Sequence, residues 1–213
     1  MILNSLNYTL NQSDHLDEVL SMHLEGIDHA GTVRAGLTRA ICSVAFEHGH
    51  SLRQLMALGN HTSAVALLRL QFESLVRAIW VLHVANESWL DKLSAPLTVA
   101  AEQAAKNAPS LDNMMDAIEA PLANPRAGEM IKGFYTANWK SLNSFVHAGI
   151  HPVARVMDGY VDSFLMQIIR NSNALAVMAA ATLTSLSGNQ PQMKALTQIQ
   201  LEFKECLPQL LSS

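Results

Sequence analysis

The sequence predicts an all-α protein, a helical bundle with long central helices and an insertion of short helices. Leu, Ala and Met are abundant, and the alternation of apolar and polar residues that is typical of strands is nearly absent. Glycine and proline cluster at a few points between long helical patterns, as expected at helix ends. A chain of 213 residues can bury one sizeable core, so we expect a single helical domain over residues 1–213.

Capping and breaking residues predict three helices in the N-terminal part. The first is predicted over residues 13–29, with Ser13-Asp14 as its N-terminal cap. The second is predicted over residues 32–58 and the third over residues 61–86. The third pattern is the most apolar in the chain, which indicates a helix at the centre of the bundle.

The pattern changes after the third helix. Residues 87–125 hold short amphipathic pieces separated by prolines, which predicts an insertion or lid of short helices. A long helix is then predicted over residues 126–147, followed by a break at an Ala-Gly-Ile-His-Pro run. Helix resumes over residues 153–187, and a last helix is predicted over residues 192–206.

The composition predicts a buried subunit interface. Only 15% of the residues are charged, against about 25% in average soluble proteins, and 49% are hydrophobic. A long apolar pattern over residues 158–186, with the small residues Ala174, Ala179 and Ala181, is the expected contact, so we expect a homodimer. The net charge of −4 excludes a global positive field that would attract nucleic acid or anionic membranes.

The number of cysteines and the length of the apolar runs indicate in which cellular compartment the protein is expected. Cys42 and Cys206 do not make a disulfide framework for a chain of this size, and the N-terminal residues lack the pattern of a signal peptide. We therefore expect a cytoplasmic protein. The longest apolar runs reach roughly ten residues, below the ~20 that a membrane span requires, so no membrane association is expected.

A polar stripe lies on the apolar third helix, and its members are Arg69, Glu73, Arg77, Trp80 and His83. At 100° per residue, these side chains fall within about 120° of one another. Glu73 is four residues from each arginine, so we expect it to pair with one or both and to organise a site without reacting. The alternative is a solvated face or a purely structural ion pair.

A second polar stripe lies on the helix predicted over residues 126–147. Thr136, Lys140, Asn143 and His147 recur within about 60° of one another. The alternative interpretation is that Lys140 and His147 are simply exposed.

The two stripes define one candidate site if their helices face each other. Arg69, Arg77 and Lys140 would then form a cationic pocket, with Asn143 beside it, that suits a phosphate or another anion. His83 and His147 would be the groups able to move protons near neutral pH.

Other motifs predict neither a metal nor a cofactor. His147 and His151 have the four-residue spacing of helical zinc ligands, but a glycine and a proline between and after them end the helix. A Glu-x-x-His motif at residues 47–50 has no second copy, which a di-iron carboxylate bundle needs. The sequence also lacks a glycine-rich phosphate loop and a cysteine in the setting of a nucleophile.

Residues 67–83 and 138–155 together resemble a group of uncharacterised bacterial helical families. In these families an Arg-x3-Glu-x3-Arg helix is followed, across a variable middle, by a Trp…Leu-Asn…His-x-Gly element. Such members look similar to HEPN domains, which are helical dimers of toxin–antitoxin and phage-defence systems. Many HEPN domains are metal-independent ribonucleases with an Arg-x4–6-His motif, and Arg77 to His83 fits that spacing with five intervening residues.

The resemblance implies a ribonuclease of a bacterial defence or stress system. Arg77 would hold the scissile phosphate, and His83 or His147 would move protons. RNA and an antitoxin or other defence protein are the implied partners. The alternative is a non-catalytic helical module whose site binds an anionic ligand or a protein partner.

Overall fold

The chain folds into α-helices. A computed structural model describes residues 5–25, 27, 31–119, 122 and 125–209. Within these residues there are ten α-helices and no strand, and 83% of the structure is helical. The prediction of an all-α helical bundle is confirmed.

The ten helices follow one another along the chain as α1 Leu6–Leu24, α2 Val33–Ala57, α3 His61–His83, α4 Glu87–Ser94, α5 Val99–Ala105, α6 Leu111–Glu119, α7 Pro125–Val146, α8 Ile150–Asp158, α9 Asp162–Leu186 and α10 Gln190–Glu202. A short 3-10 turn, Lys204–Cys206, follows α10. None of the helices described is long and apolar enough to cross a membrane.

Helix α3 lies at the centre of the bundle, as its apolar pattern predicts. It packs most extensively against α2, and α6, α7 and α9 cover its remaining sides. Leu68, Phe72, Leu75 and Val76 are completely buried along it. Because α3 is surrounded, any charged side chain on it must reach the surface or find a partner.

Helix α9 is the second core helix. It packs against α1, α2, α3 and α10, and a separate apolar cluster fills the space between α1, α9 and α10. Ala179 on α9 is fully buried within the chain. The apolar surface of α9, which the sequence analysis assigned to a dimer contact, is thus largely used inside the bundle.

The first helix begins at Leu6, seven residues earlier than predicted. Ser5 is its N-terminal cap, and the Ser5 hydroxyl accepts a hydrogen bond from the backbone N–H of Tyr8. Ser13 lies inside the helix, where its hydroxyl donates to the Thr9 carbonyl at 2.6 Å and accepts from the Asn173 amide at 2.8 Å. The predicted end at His29 lies outside the described residues, and α1 itself ends at Leu24.

The helix predicted over residues 153–187 is two helices. Gly159 has φ +89°, a left-handed conformation that ends α8, and α9 starts three residues later. The third helix ends at His83, because Asn86 instead caps α4 through the backbone N–H of Trp89. The last α-helix ends at Glu202, before the 3-10 turn.

The predicted insertion, residues 87–125, contains α4, α5 and α6. Met114 and Ile118 of α6 are buried against the core around α3, and Leu90 of α4 is buried as well. Helix α5 has no buried residue. Of the described part of the predicted insertion or lid, only α5 and its flanking loops are therefore not anchored in the core.

Candidate functional site

Arg69 and Glu73 form an ion pair on α3. The Arg69 Nη2 atom lies 2.8 Å from Glu73 Oε1, one helical turn away. The Arg69 guanidinium also lies over the indole ring of Trp139 on α7, 4.8 Å from the ring centroid. Arg69 is therefore paired and stacked within the chain, and little of its charge is left for an external anion.

Helices α3 and α7 pack against each other in antiparallel directions. Phe72 of α3 contacts Phe134 of α7 with ring centroids 4.6 Å apart, whereas Arg69, earlier on α3, contacts the later residue Trp139. The two helices that carry the polar stripes are thus neighbours. Their antiparallel course decides which members of the stripes can meet.

The two candidate histidines lie at opposite ends of this helix pair. His83 follows Arg69 by fourteen residues, which is about 21 Å along the helix axis. His147 follows Trp139 by eight residues, about 12 Å in the other direction. Within one chain the two imidazoles are therefore on the order of 30 Å apart and do not share one phosphate-sized site.

The second stripe faces solvent for most of its length. Thr136, Lys140 and His147 are exposed, and Asn143 is half-buried. The Oδ1 atom of Asn143 is buried without a hydrogen-bond partner among the residues described, and so is the Nε atom of Arg69. Both atoms belong to residues next to the Trp139 contact, so this part of the α3–α7 seam retains unused polar capacity.

His83 is the last residue of α3, beside an arginine of α2. Arg34 donates from Nη1 to the Val81 carbonyl at 2.6 Å and from Nη2 to Glu87 Oε1 at 3.2 Å. His83 is an exposed residue, but burial of part of its imidazole, and then the positive charge of Arg34, lower its pKa. The lowered pKa favours the uncharged imidazole at neutral pH, which is the form that can accept a proton.

Arg77 lies six residues before His83 on the same helix. This spacing is a rise of about 9 Å and a rotation of about 120°, with Trp80 between them. Trp80 is buried and meets the edge of Trp89, with centroids 6.1 Å apart. Arg77 is half-buried and has neither a hydrogen bond nor an ion pair within the ranges that the structure describes.

Arg34 lies at this end of α3 although the sequence pattern did not point to it. It lies in the first turn of α2, where a cation opposes the helix dipole. That unfavourable position was a usable signal, because it indicates a cation held by partners outside its own helix. The partners are the C-terminal end of α3 and the first residue of α4.

The two cysteines are buried, unreactive thiols. Burial raises the pKa of Cys42 to about 12 and that of Cys206 to about 11, so both are protonated thiols at neutral pH. The described residues contain no group of three or more His, Cys, Asp or Glu side chains arranged to hold a metal ion. The His151 ring packs near Phe145, with centroids 6.5 Å apart.

The fold is all-α, and Arg34, Arg77 and His83 lie toward the C-terminal end of its central helix. A model of a family of unknown function, DUF6988, matches residues 42–209, and the chain belongs to this family. Searches of curated proteins and of solved structures gave no significant match. The matched region contains Arg77 and His83, whereas Arg34 precedes it.

Proposed function

We propose that the protein is an HEPN-like ribonuclease of a bacterial defence or stress system, with its site at the C-terminal end of α3. The observation that carries this proposal is an unengaged Arg77 that lies about 9 Å along α3 from His83. Partial burial, and then the charge of Arg34, lower the pKa of His83. An uncharged imidazole and the unengaged Arg77 combine a proton acceptor with a phosphate-binding cation, while Arg34, held by Val81 and Glu87, adds positive charge nearby. The Arg-x5-His spacing agrees with the same reaction.

The chemistry needs only these groups and water. Arg77 binds the non-bridging oxygens of a phosphodiester, and His83 takes the proton from the neighbouring ribose 2′-hydroxyl. The 2′-oxygen then bonds to phosphorus while the bond from phosphorus to the 5′-oxygen breaks. The leaving oxygen takes a proton from water, and the hydroxide so formed takes the proton from the His83 imidazolium, which restores the neutral imidazole. The products are a 2′,3′-cyclic phosphate and a 5′-hydroxyl end.

The candidate residues of the two polar stripes fall into separate groups along α3. His147, Lys140 and Asn143 lie toward the opposite end of α3 and take no part in this reaction within the same chain. Arg69 and Glu73 serve as a structural ion pair between the two regions. The proposed site is therefore Arg77, His83 and Arg34.

An RNA cleavage assay tests the proposal with matched variants. Purified protein is incubated with a fluorescent single-stranded RNA, and the ends of the products are analysed. We expect Arg77→Ala and His83→Gln each to lower the rate by at least about a hundredfold, in the range of a lost general base or charge stabiliser. His147→Gln, the matched control, should cleave like the wild type. Full activity of His83→Gln in folded protein would contradict the mechanism.

A second candidate function is a non-catalytic module that binds an anionic ligand or a protein partner. It is favoured by the separation of His83 from His147, because His147, the second candidate imidazole, is then too far from His83 to protonate a leaving group there. Binding of a 2′-O-methyl RNA, which cannot be cleaved by this route, separates the two functions. Binding that Arg77→Ala weakens, without cleavage of the unmodified RNA, would support the module.

The proposal extends to the setting in which the protein works. A homodimer is favoured by the low fraction of charged residues, and a cytoplasmic location is favoured by two cysteines that remain buried thiols. RNA and a defence-system protein remain the proposed partners. Size measurements and fractionation of cells that express a tagged chain test these points.

A further inference from the structure

An apolar surface is exposed around α8. Of the fourteen large hydrophobic side chains exposed in the described part of the chain, six lie within residues 146–161. We name these six residues the α8 face; they are Val146, Ile150, Val153, Val156, Met157 and Val161. Such a concentration of exposed apolar side chains marks an interaction site more often than scattered single ones do.

The exposure follows from how α8 sits on the bundle. Its inner side is used within the chain, because Pro152 is buried and the Arg155 guanidinium lies 4.8 Å from the centroid of the Phe164 ring. Ile150, Val153 and Met157 lie within about 60° of one another on the outer side. Ile150 is 77% exposed and Met157 is 80% exposed. The helix thus presents a continuous apolar stripe to solvent.

We propose that the α8 face binds a second copy of this chain, with the two α8 helices packed antiparallel across a two-fold axis. The spacing of three and four residues along the stripe is that of a helix–helix seam. An antiparallel pair would place Val153 against the partner's Met157. In a two-fold interface each contact occurs twice, which doubles the area that so short a helix buries.

The charges at the ends of α8 favour this antiparallel pairing. Asp158 is the last residue of the helix, where the helix dipole disfavours a carboxylate, and it has no ion pair within the part of the chain described. An antiparallel partner brings its positive N-terminal end, and with it the partner's His151, beside Asp158. A parallel pair would instead place the two Asp158 carboxylates together.

The size of the face indicates a weak, reversible dimer. Six exposed side chains make a smaller interface than the roughly 20–30 residues that each partner contributes to a standard one. We therefore expect a dissociation constant in the micromolar range. This interface differs from the α9 contact that the sequence suggested, since α9 is covered within its own chain.

The inference is independent of the proposed ribonuclease function. The α8 face lies toward the end of the bundle where Tyr160 meets His61, at the start of α3. His83 lies at the other end of α3. Pairing through α8 therefore leaves both proposed RNA sites open, and loss of the dimer is expected to leave cleavage by each chain unchanged.

Sedimentation equilibrium between about 1 and 100 µM, a range that brackets micromolar dissociation constants, tests the interface. We expect Met157→Glu to weaken the wild-type dimer at least about tenfold. Leu97→Glu is the matched control, because Leu97 is 98% exposed but lies between α4 and α5, and it should dimerise like the wild type. Circular dichroism and thermal melts show whether each variant is folded.

A charge exchange tests the antiparallel arrangement. Asp158→Lys should weaken the dimer, and the double variant with His151→Glu should restore it. A wild type that stays monomeric throughout the range would overturn the proposal, and so would a dimer that Met157→Glu leaves intact. Dimerisation lost in Met157→Glu but unaffected by Asp158→Lys would overturn the antiparallel arrangement.

Discussion

At the scale of single residues, Glu73 shows how burial sets the strength of an ion pair. Its side chain is 31% exposed, while that of its partner Arg69 is 17% exposed and stacks on Trp139. The pair is neither on the open surface nor in the dry core. Its contribution to stability should therefore lie between those of exposed and buried pairs.

Glu73→Gln should lower the free energy of unfolding by about 1–2 kcal/mol, between under ~1 for exposed pairs and ~3–5 for buried ones. The glutamine keeps the shape of the side chain, and Arg69 keeps its contact with Trp139. Glu119→Gln is the control, since its pair with Lys132 is more than 60% exposed on both sides, and it should change stability little. Urea unfolding measures both variants. A loss of unfolding free energy above 3 kcal/mol would mean that Arg69, without Glu73, remains a buried charge that water does not reach.

His83 should titrate below its usual pKa of 6.5, because burial and Arg34 both disfavour the imidazolium. Arg34→Gln should raise the pKa of His83 part of the way toward 6.5, since burial, the larger cause, remains. NMR of the imidazole protons measures this, and His83→Gln identifies the resonance. A His83 pKa at or above 6.5 in the wild type would contradict both the environment described and the proposed base.

The same shift predicts how stability depends on pH. Because the pKa of His83 is lower in the folded state, the unfolded chain binds more protons just below pH 6.5. Stability is therefore lost as the pH falls from about 6.5 through the folded pKa of His83. Burial also lowers the pKa of His23, so His23 acts in the same direction. His83→Gln should lessen this acid sensitivity.

At the scale of helices, two glycines should respond to alanine in opposite directions. Gly159 has φ +89° and ends α8, so Gly159→Ala should cost about 1–2 kcal/mol of backbone strain although nothing crowds the position. Gly133 is an exposed position inside α7 with open space around it, so Gly133→Ala should stabilise by about 0.5–1 kcal/mol. Thermal and urea unfolding measure both. Equal responses would mean that the α8–α9 junction tolerates another backbone.

Helices themselves were predictable from the sequence, whereas several of their ends were not. Apolar periodicity is a local property, and it correctly indicated the central place of α3. The predicted start of α1 relied on Ser13, which lies inside the helix and whose hydroxyl accepts a hydrogen bond from Asn173, 160 residues later in the chain. A local pattern cannot contain that partner, so Ser13 resembled a cap. The break at Gly159 was missed for the simpler reason that apolar residues continue on both sides of it.

At the scale of the whole molecule, the segment between α3 and α7 divides into a fixed part and a removable part. Replacing residues 97–108 by a short Gly-Ser linker should leave the melting temperature within a few degrees, because α5 buries no side chain. Met114→Ala in α6 should instead cost about 2–5 kcal/mol, since Met114 is buried in the core. Unfolding of the linker variant at room temperature would show that α5 is needed for the fold.

The candidate site was predictable only in part. Glu73 pairs with Arg69, one of the two arginines at the expected spacing, and the two striped helices pack together. The antiparallel course of α7 was not encoded in either stripe, so nothing local indicated that His83 and His147 lie at opposite ends. Arg34 reaches the end of α3 through tertiary contacts alone.

The buried hydrogen bond between Asn173 and Ser13 also determines when the protein can finish folding during its synthesis. At about 5–20 residues per second, a ribosome needs roughly 8–30 s to make the intervening 160 residues. Until then, Leu16 and Leu20 of α1 have no α9 to cover them. The nascent chain therefore exposes apolar surface that chaperones bind, because α1 is made before α9 and is fully packed only after α9 has followed.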